Sequence, residues 1–132
     1  MDYESLIKAA QAAKKKSHSP FSRFRVGAAL LTKSGAVYSG CNVEISTYAL
    51  TLCAERTALF KAVSEGQKKF VALAISTDES GFISPCGACR QVIMDLAGNI
   101  DIILTNKRGK FAVYKTLDLF PFPFGPQNLK RK

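Results

Sequence analysis

With 132 residues, the chain has room for one domain, whose folding removes roughly two-thirds of the unfolded surface from water, and none for a second. Hydrophobic residues make up 47% and charged residues 22%, which excludes an intrinsically disordered chain. Lys and Arg number 19 against 10 Asp and Glu, a net charge of +9 that favours anions and biases the surface toward phosphates without defining an activity.

The chain opens on Met1-Asp2-Tyr3-Glu4, without the basic start, apolar run and small-residue cleavage site of a secretory signal. Leu6, Ile7, Ala10 and Ala13 recur at helical spacing and predict an amphipathic helix over residues 2–16, ending in lysines. Residues 17–22 break it, with Pro20 as the stop. Residues 24–32 and 36–42 predict two strands around a Lys33-Ser34-Gly35 turn, a hairpin. Ala54, Ala58, Leu59 and Ala62 suit a helix over residues 53–65, with Thr51 as the cap and Gly66 as the stop.

Residues 70–77 have a buried-strand pattern. Ser84 offers a capping hydroxyl and Pro85 suits a first helical turn, so residues 86–96 predict another helix, ended by Gly98 and Asn99. Residues 100–105 and 111–114 predict two strands around Lys107-Arg108-Gly109. Pro121, Pro123 and Pro126 keep most of residues 117–129 irregular. No internal repeat or linker divides the chain, and no apolar stretch approaches the roughly 18 residues of a membrane span. Residues 1–132 are thus expected to form a single α/β domain, a helix-covered sheet that mixes hairpins with helix crossovers. Basic clusters at Lys14-Lys15-Lys16 and Lys130-Arg131-Lys132 read as solvated surface and tail.

A chain without a secretory signal is expected in the cytoplasm, where thiols stay reduced, so its four cysteines call for an explanation other than disulfides. Cys86 and Cys89, three apart in a first helical turn, share one face and can reach a single ion, with Cys53 as a third ligand. Zinc held by three protein groups keeps its fourth position for water, the catalytic arrangement. A closed structural site, or simply buried thiols, is the plainer reading. A structural site wants a fourth ligand, and Cys41 is better read as a small buried hydrophobe at a strand end. His18, the only histidine, lies in a polar loop and reads as a surface or outer-layer residue. Three thiolates exceed the charge of a divalent ion, so helix N-termini and Arg56 are expected to offset the surplus, Arg56 by hydrogen-bonding a ligand sulfur. Glu55 stands where a carboxylate free of the metal takes a proton from an attacking water, the place of a general base.

Cys53-x-Glu55 followed by Pro85-Cys86-x-x-Cys89 matches the zinc-deaminase signature, in the variant with cysteine as its first ligand. Further stretches match in order: Phe21-Ser22-Arg23-Phe24-Arg25-Val26-Gly27, Gly40-Cys41-Asn42-Val43-Glu44, Cys53-Ala54-Glu55-Arg56-Thr57-Ala58, and Leu119-Phe120-Pro121-Phe122-Pro123-Phe124-Gly125-Pro126. Together they resemble the small homotetrameric cytidine deaminases over nearly the whole chain. The resemblance implies a three-layer α/β/α sandwich on a five-stranded mixed sheet. It implies one zinc per subunit on Cys53, Cys86 and Cys89, with Glu55 as proton shuttle. Asn42 and Glu44 would hold the ribose hydroxyls, Phe24 would flank the pyrimidine, and backbone groups at Ala54 would help to read the base edge. Phe124 would stack on the base in a neighbouring subunit's site, so the active sites would lie at the interfaces of a homotetramer.

The implied reaction is hydrolytic deamination of cytidine and deoxycytidine, with release of ammonia, in pyrimidine salvage; no membrane and no specific nucleic acid is expected as a partner. The chain departs from the family at Ile45-Ser46-Thr47, where many relatives have Asn-Ala-Ser, and at Arg25, where proline is frequent. Four other readings remain: a polynucleotide deaminase, favoured only by the net charge; a deaminase of a modified nucleoside; a non-catalytic zinc-stabilised interaction domain; and C-x-x-C redox chemistry, which lacks a thioredoxin-like surrounding pattern.

Overall fold

The computed structural model describes residues 3–129, so Asp2 of the predicted first helix and the Lys130-Arg131-Lys132 cluster lie outside the described residues. Helix α1 (Tyr3–Lys14) buries Leu6, Ile7, Ala10 and Ala13, the residues its periodicity selects. It ends two residues earlier than predicted, and Lys16 N and Ser17 N close the last turn on Ala13 O and Lys14 O.

Strands β1 (Val26–Thr32) and β2 (Val37–Cys41) form the expected antiparallel hairpin. A 3-10 turn at Tyr48–Leu50, which carries no signal in the sequence reading, leads to α2 (Ala54–Ser64). Strand β3 (Phe70–Thr77) follows, then α3 (Gly87–Ala97), β4 (Asp101–Thr105) and β5 (Phe111–Lys115). The proline-rich tail holds one turn of helix, α4 (Thr116–Leu119), and a 3-10 turn at Pro126–Leu129, and is otherwise irregular.

The caps of α2 and α3 differ from prediction. Cys53 occupies the N-cap of α2, while the Thr51 hydroxyl accepts from Ile45 N at 3.0 Å. Cys86 caps α3 and its sulfur accepts from Cys89 N; Ser84 lies upstream and its hydroxyl accepts from Arg90. In both helices the cap is a cysteine two residues beyond the hydroxyl that the sequence offers.

The sheet order is β2-β1-β3-β4-β5, antiparallel throughout except for β3 and β4, which run parallel and are joined through α3. Alternate residues face opposite sides. Ala29, Leu31, Ala72, Ala74 and Ile103 pack under α1, whereas Ala28, Leu30, Leu73, Ile75, Ile102 and Leu104 pack under α2 and α3. The result is a three-layer α/β/α sandwich on a five-stranded mixed sheet.

Two glycines set the layer spacing. A Cβ on Gly27 would lie 2.1 Å from Ala10 O and 2.3 Å from Lys14 N, and one on Gly40 would lie 2.6 Å from Ala58 N. Glycine in β1 thus lets α1 approach one face of the sheet, and glycine in β2 lets α2 approach the other. A charge cluster ties α1 to the same end of the sheet: Asp78 Oδ1 lies 2.8 Å from Lys14 Nζ and Asp78 Oδ2 lies 2.8 Å from Arg25 Nε.

Gly27→Ala and Gly40→Ala are each expected to destabilise the fold by about 2 kcal/mol or more, because backbone atoms must yield, and thermal melting checks this. Hydrogen bonds from Arg25 and Lys14 lower the Asp78 pKa from 3.8 to about 2, so its contribution is full above the unfolded value and disappears as pH falls through the folded one. With Asp78 partly exposed, Asp78→Asn should lose about 1 kcal/mol or less at pH 7, a difference from the parent that vanishes between about pH 4 and 2 in chemical denaturation.

Candidate active site

Helix α2 runs into β3 and α3 runs out of it, so both helix N-termini meet at the carboxyl end of β3. That juxtaposition gathers the thiols. Cys53 and Cys86 are the N-caps of α2 and α3, and Cys89 lies in the first turn of α3. Their three sulfur atoms lie within 4.8 Å of one another, with Cys53 Sγ and Cys86 Sγ 3.8 Å apart. Sulfurs at about 2.3 Å from a tetrahedral zinc stand about 3.8 Å apart, so the cluster fits that ion with little movement. Cys89 is buried, Cys53 is half-buried and Cys86 is exposed, which leaves one side of the cluster open to solvent.

The electrostatics suit anionic sulfur. The Cys53 pKa is lowered to about 5, first by the hydrogen bond from the Cys89 thiol and then by Arg56 and Cys86, against the effect of burial. Cys89, the partner that keeps its proton, is pushed up by that bond and by burial. Arg56 Nη2 donates to Cys53 Sγ at 3.4 Å and to Thr51 O at 3.3 Å, which puts a guanidinium behind the sulfur cluster. Glu55 is 4% exposed, and burial raises its carboxyl to about 7.

A cleft of about 290 Å³ opens over this cluster, lined by Phe24, Val26, Asn42, Glu44, Thr51, Cys53, Glu55, Ile75, Thr77, Ile83, Ser84 and Cys86. A larger hollow of about 580 Å³ beside α1 and β5 holds none of these groups. The cleft therefore brings two of the three thiols and the buried carboxyl together with Phe24 before β1, Val26 in it, and Asn42 and Glu44 after β2. Ala54 heads α2 and is fully buried. Phe124 does not line the cleft: it is 56% exposed, and its carbonyl accepts from Gln91 Nε2 at 2.8 Å.

Asn42 and Glu44 already hold the loop at residues 17–25. Asn42 Oδ1 accepts from Val26 N and the Ser17 hydroxyl, and Nδ2 donates to Phe24 O. Glu44 accepts from Phe21 N and Ser22 N at 3.0 Å and from the Ser22 hydroxyl, bonds that lower its pKa. One Asn42 N–H and further lone pairs of Glu44 remain, a donor and an acceptor together, which is the pairing a sugar hydroxyl satisfies.

Sequence reasoning missed Arg90, whose Nε donates to Pro85 O at 2.8 Å and whose Nη2 donates to Ser84 Oγ at 2.6 Å. It braces the turn that delivers Cys86, and its place directly after Cys89 was the available signal. Cys41 is only half-buried and donates to Lys16 O at 3.3 Å, because β2 is an edge strand; His18 is exposed in the loop.

Elemental analysis should find one zinc per chain after purification. Cys53→Ser, Cys86→Ser and Cys89→Ser should each reduce retained zinc to below about one-tenth under dialysis against a weak chelator, because a two-thiolate site binds far less tightly. Cys41→Ser should retain the metal.

The sequence model of the cytidine and deoxycytidylate deaminase zinc-binding region matches residues 1–104. A cytidine deaminase of Sporosarcina psychrophila is 47% identical over 130 residues, which cover 98% of this chain and 96% of that protein. The crystal structure of a cytidine deaminase from Burkholderia pseudomallei superposes with a TM-score of 0.91 at 46% identity, covering 94% of this chain and 100% of that one. The enzyme from Mycobacterium tuberculosis superposes with a TM-score of 0.82 at 36% identity, over 95% and 98% of the two chains. With the match spanning the thiol cluster, the buried glutamate and the sheet that carries them, the chain belongs to the cytidine and deoxycytidylate deaminase family.

Proposed function

We propose that this chain is a zinc-dependent cytidine deaminase that hydrolyses cytidine and deoxycytidine to uridine and deoxyuridine with release of ammonia, as one catalytic domain over residues 1–132. The observation that carries the reading is the buried Glu55 carboxyl beside the three-sulfur cluster, on the floor of a cleft of nucleoside size. Cytidine-deaminating relatives over nearly the full chain support it.

Cys53, Cys86 and Cys89 would hold zinc, one ion per subunit, and the ion supplies Lewis acidity that lets water attack at neutral pH. Glu55 accepts the proton of the attacking water and delivers it to N3 so that C4 becomes electrophilic; it then takes the proton of the new C4 hydroxyl and passes it to the amino group, which leaves as ammonia while the C4 carbonyl forms. Burial keeps competing water from that carboxylate. Arg56 and the two helix N-termini offset the negative charge that three thiolates leave uncompensated by a divalent ion. Asn42 donates to, and Glu44 accepts from, the sugar hydroxyls, fixing orientation so that binding energy serves the chemical step. Phe24 packs against the pyrimidine from the cleft wall.

The same reading makes the working enzyme a homotetramer in the cytoplasm. Tyr48, Leu50, Phe60 and Phe124 are 73%, 65%, 42% and 56% exposed, apolar surface that a symmetric assembly buries. Phe124, which does not line its own chain's cleft, would then reach a neighbour's base and Ala54 would present backbone groups to the base edge. The four cysteines are free, and no helix among the described residues is long and apolar enough to cross a membrane.

The test is conversion of cytidine to uridine by the zinc-loaded protein, followed by ultraviolet absorbance. Rapid conversion is expected; zinc retained without turnover would move a modified nucleoside or a non-catalytic role ahead of this reading. Glu55→Gln should keep its zinc and lose about 10² to 10⁴ in turnover, the usual worth of a positioned general base.

A further inference from the structure

The β1–β3 ladder ends at the pair Val26 and Thr77, both of which line the cleft. One position beyond that last pair, in the same register, Arg25 faces Asp78. The guanidinium grips the carboxylate with two bonds, Nε to Oδ2 at 2.8 Å and Nη2 to Oδ1 at 3.2 Å. Side chains alternate across an extended strand, so the ion pair lies on the α1 face, where Lys14 Nζ joins it at 2.8 Å, while Phe24 and Val26 face the cleft.

Phe24 is held by side chains rather than by the sheet ladder. The preceding residue, Arg23, has φ 59, a left-handed conformation disfavoured for a side-chain-bearing residue. Among the described residues the Phe24 amide bonds the Ser22 hydroxyl and its carbonyl accepts from Asn42 Nδ2, both outside the sheet ladder. Between the left-handed Arg23 and the first ladder pair at Val26 the Asn42 side chain fastens the backbone from the β2 side, through Val26 N and Phe24 O, and Arg25 fastens it from the β3 side, through Asp78.

We infer that Arg25 is a positioning residue for substrate binding: its cross-strand ion pair with Asp78 prolongs the β1–β3 ladder by one position and fixes the backbone that presents Phe24 to the cleft. The pair touches no reacting atom, so its loss weakens ground-state and transition-state binding alike and is read in KM rather than kcat. The kinetic part rests on the cytidine reading proposed above; the structural part does not.

The test combines steady-state kinetics with amide hydrogen exchange on the zinc-loaded full chain. Arg25→Gln and Asp78→Asn should each raise KM for cytidine about three- to tenfold with kcat within about twofold, and the double variant should be no worse than either alone, as one shared interaction requires. Raising salt to about 1 M, where the Debye length falls to about 3 Å, should raise KM of the parent but not of Arg25→Gln. Lys14→Met, which keeps the Arg25–Asp78 pair, should lower the melting temperature and leave KM within about twofold. In exchange, Arg25→Gln should speed the amides of Phe24 and Val26 while those of α2 stay protected. Unchanged KM in Arg25→Gln, additive effects in the double variant, or an equal rise in Lys14→Met would each overturn the assignment. If the parent does not turn over cytidine, the functional reading fails and exchange alone decides: unaltered protection at Phe24 and Val26 rejects the fastening, and selective loss there upholds it.

Discussion

Three thiols within 4.8 Å of one another become mutually repulsive once they ionise, and the molecule is arranged around making that concentration tolerable. Two helix N-termini supply the first part of the answer, because Cys53 and Cys86 stand beside amides that have no partners within the helix, and at α3 the Cys89 amide donates to Cys86 Sγ. Arg56 supplies the second. Both depend on the chain path: the N-termini of α2 and α3 meet only because one helix precedes β3 and the other follows it. Gly40 is part of the same arrangement, since α2 reaches its depth only where the sheet lacks a side chain.

Local pattern carried most of the fold. The apolar run of residues 70–77 is β3 to the residue, and the α1 face was visible in the spacing of Leu6, Ile7, Ala10 and Ala13. The failures were at helix ends, where a cysteine took the position expected of a hydroxyl. Thiols are not among the favoured caps, so pattern alone puts Cys53 and Cys86 inside their helices, whereas they stand at the boundary. That displacement is functional, because an N-cap side chain lies beside the free amides and can turn toward a neighbouring helix.

The site was legible where spacing is short and obscure where it depends on register. Cys53 and Glu55, or Cys86 and Cys89, announce themselves within a few residues. Arg25 and Asp78 are separated by 53 positions and become neighbours only once the pairing of Val26 with Thr77 is known. Asn42 and Glu44 were legible as polar residues at a strand end, but not as the struts that hold residues 17–25 in place. Their hydrogen bonds give each a structural duty alongside the proposed sugar-binding one.

The cleft is assembled from two stretches of chain that do different things. Sulfurs and buried carboxyl come from residues 53–89; Phe24, Val26, Asn42 and Glu44 come from residues 24–44, and β1 and β3 are the seam between the two stretches. The ladder across that seam is made of backbone bonds, indifferent to side-chain identity. Substitutions in the loop before β1 can therefore reshape one wall while the sulfur cluster stays fixed. In evolutionary terms the stretch that carries the sulfurs and the buried carboxyl and the stretch that carries Phe24, Asn42 and Glu44 are separately adjustable, so the shape of the cleft can change without first dismantling its chemistry.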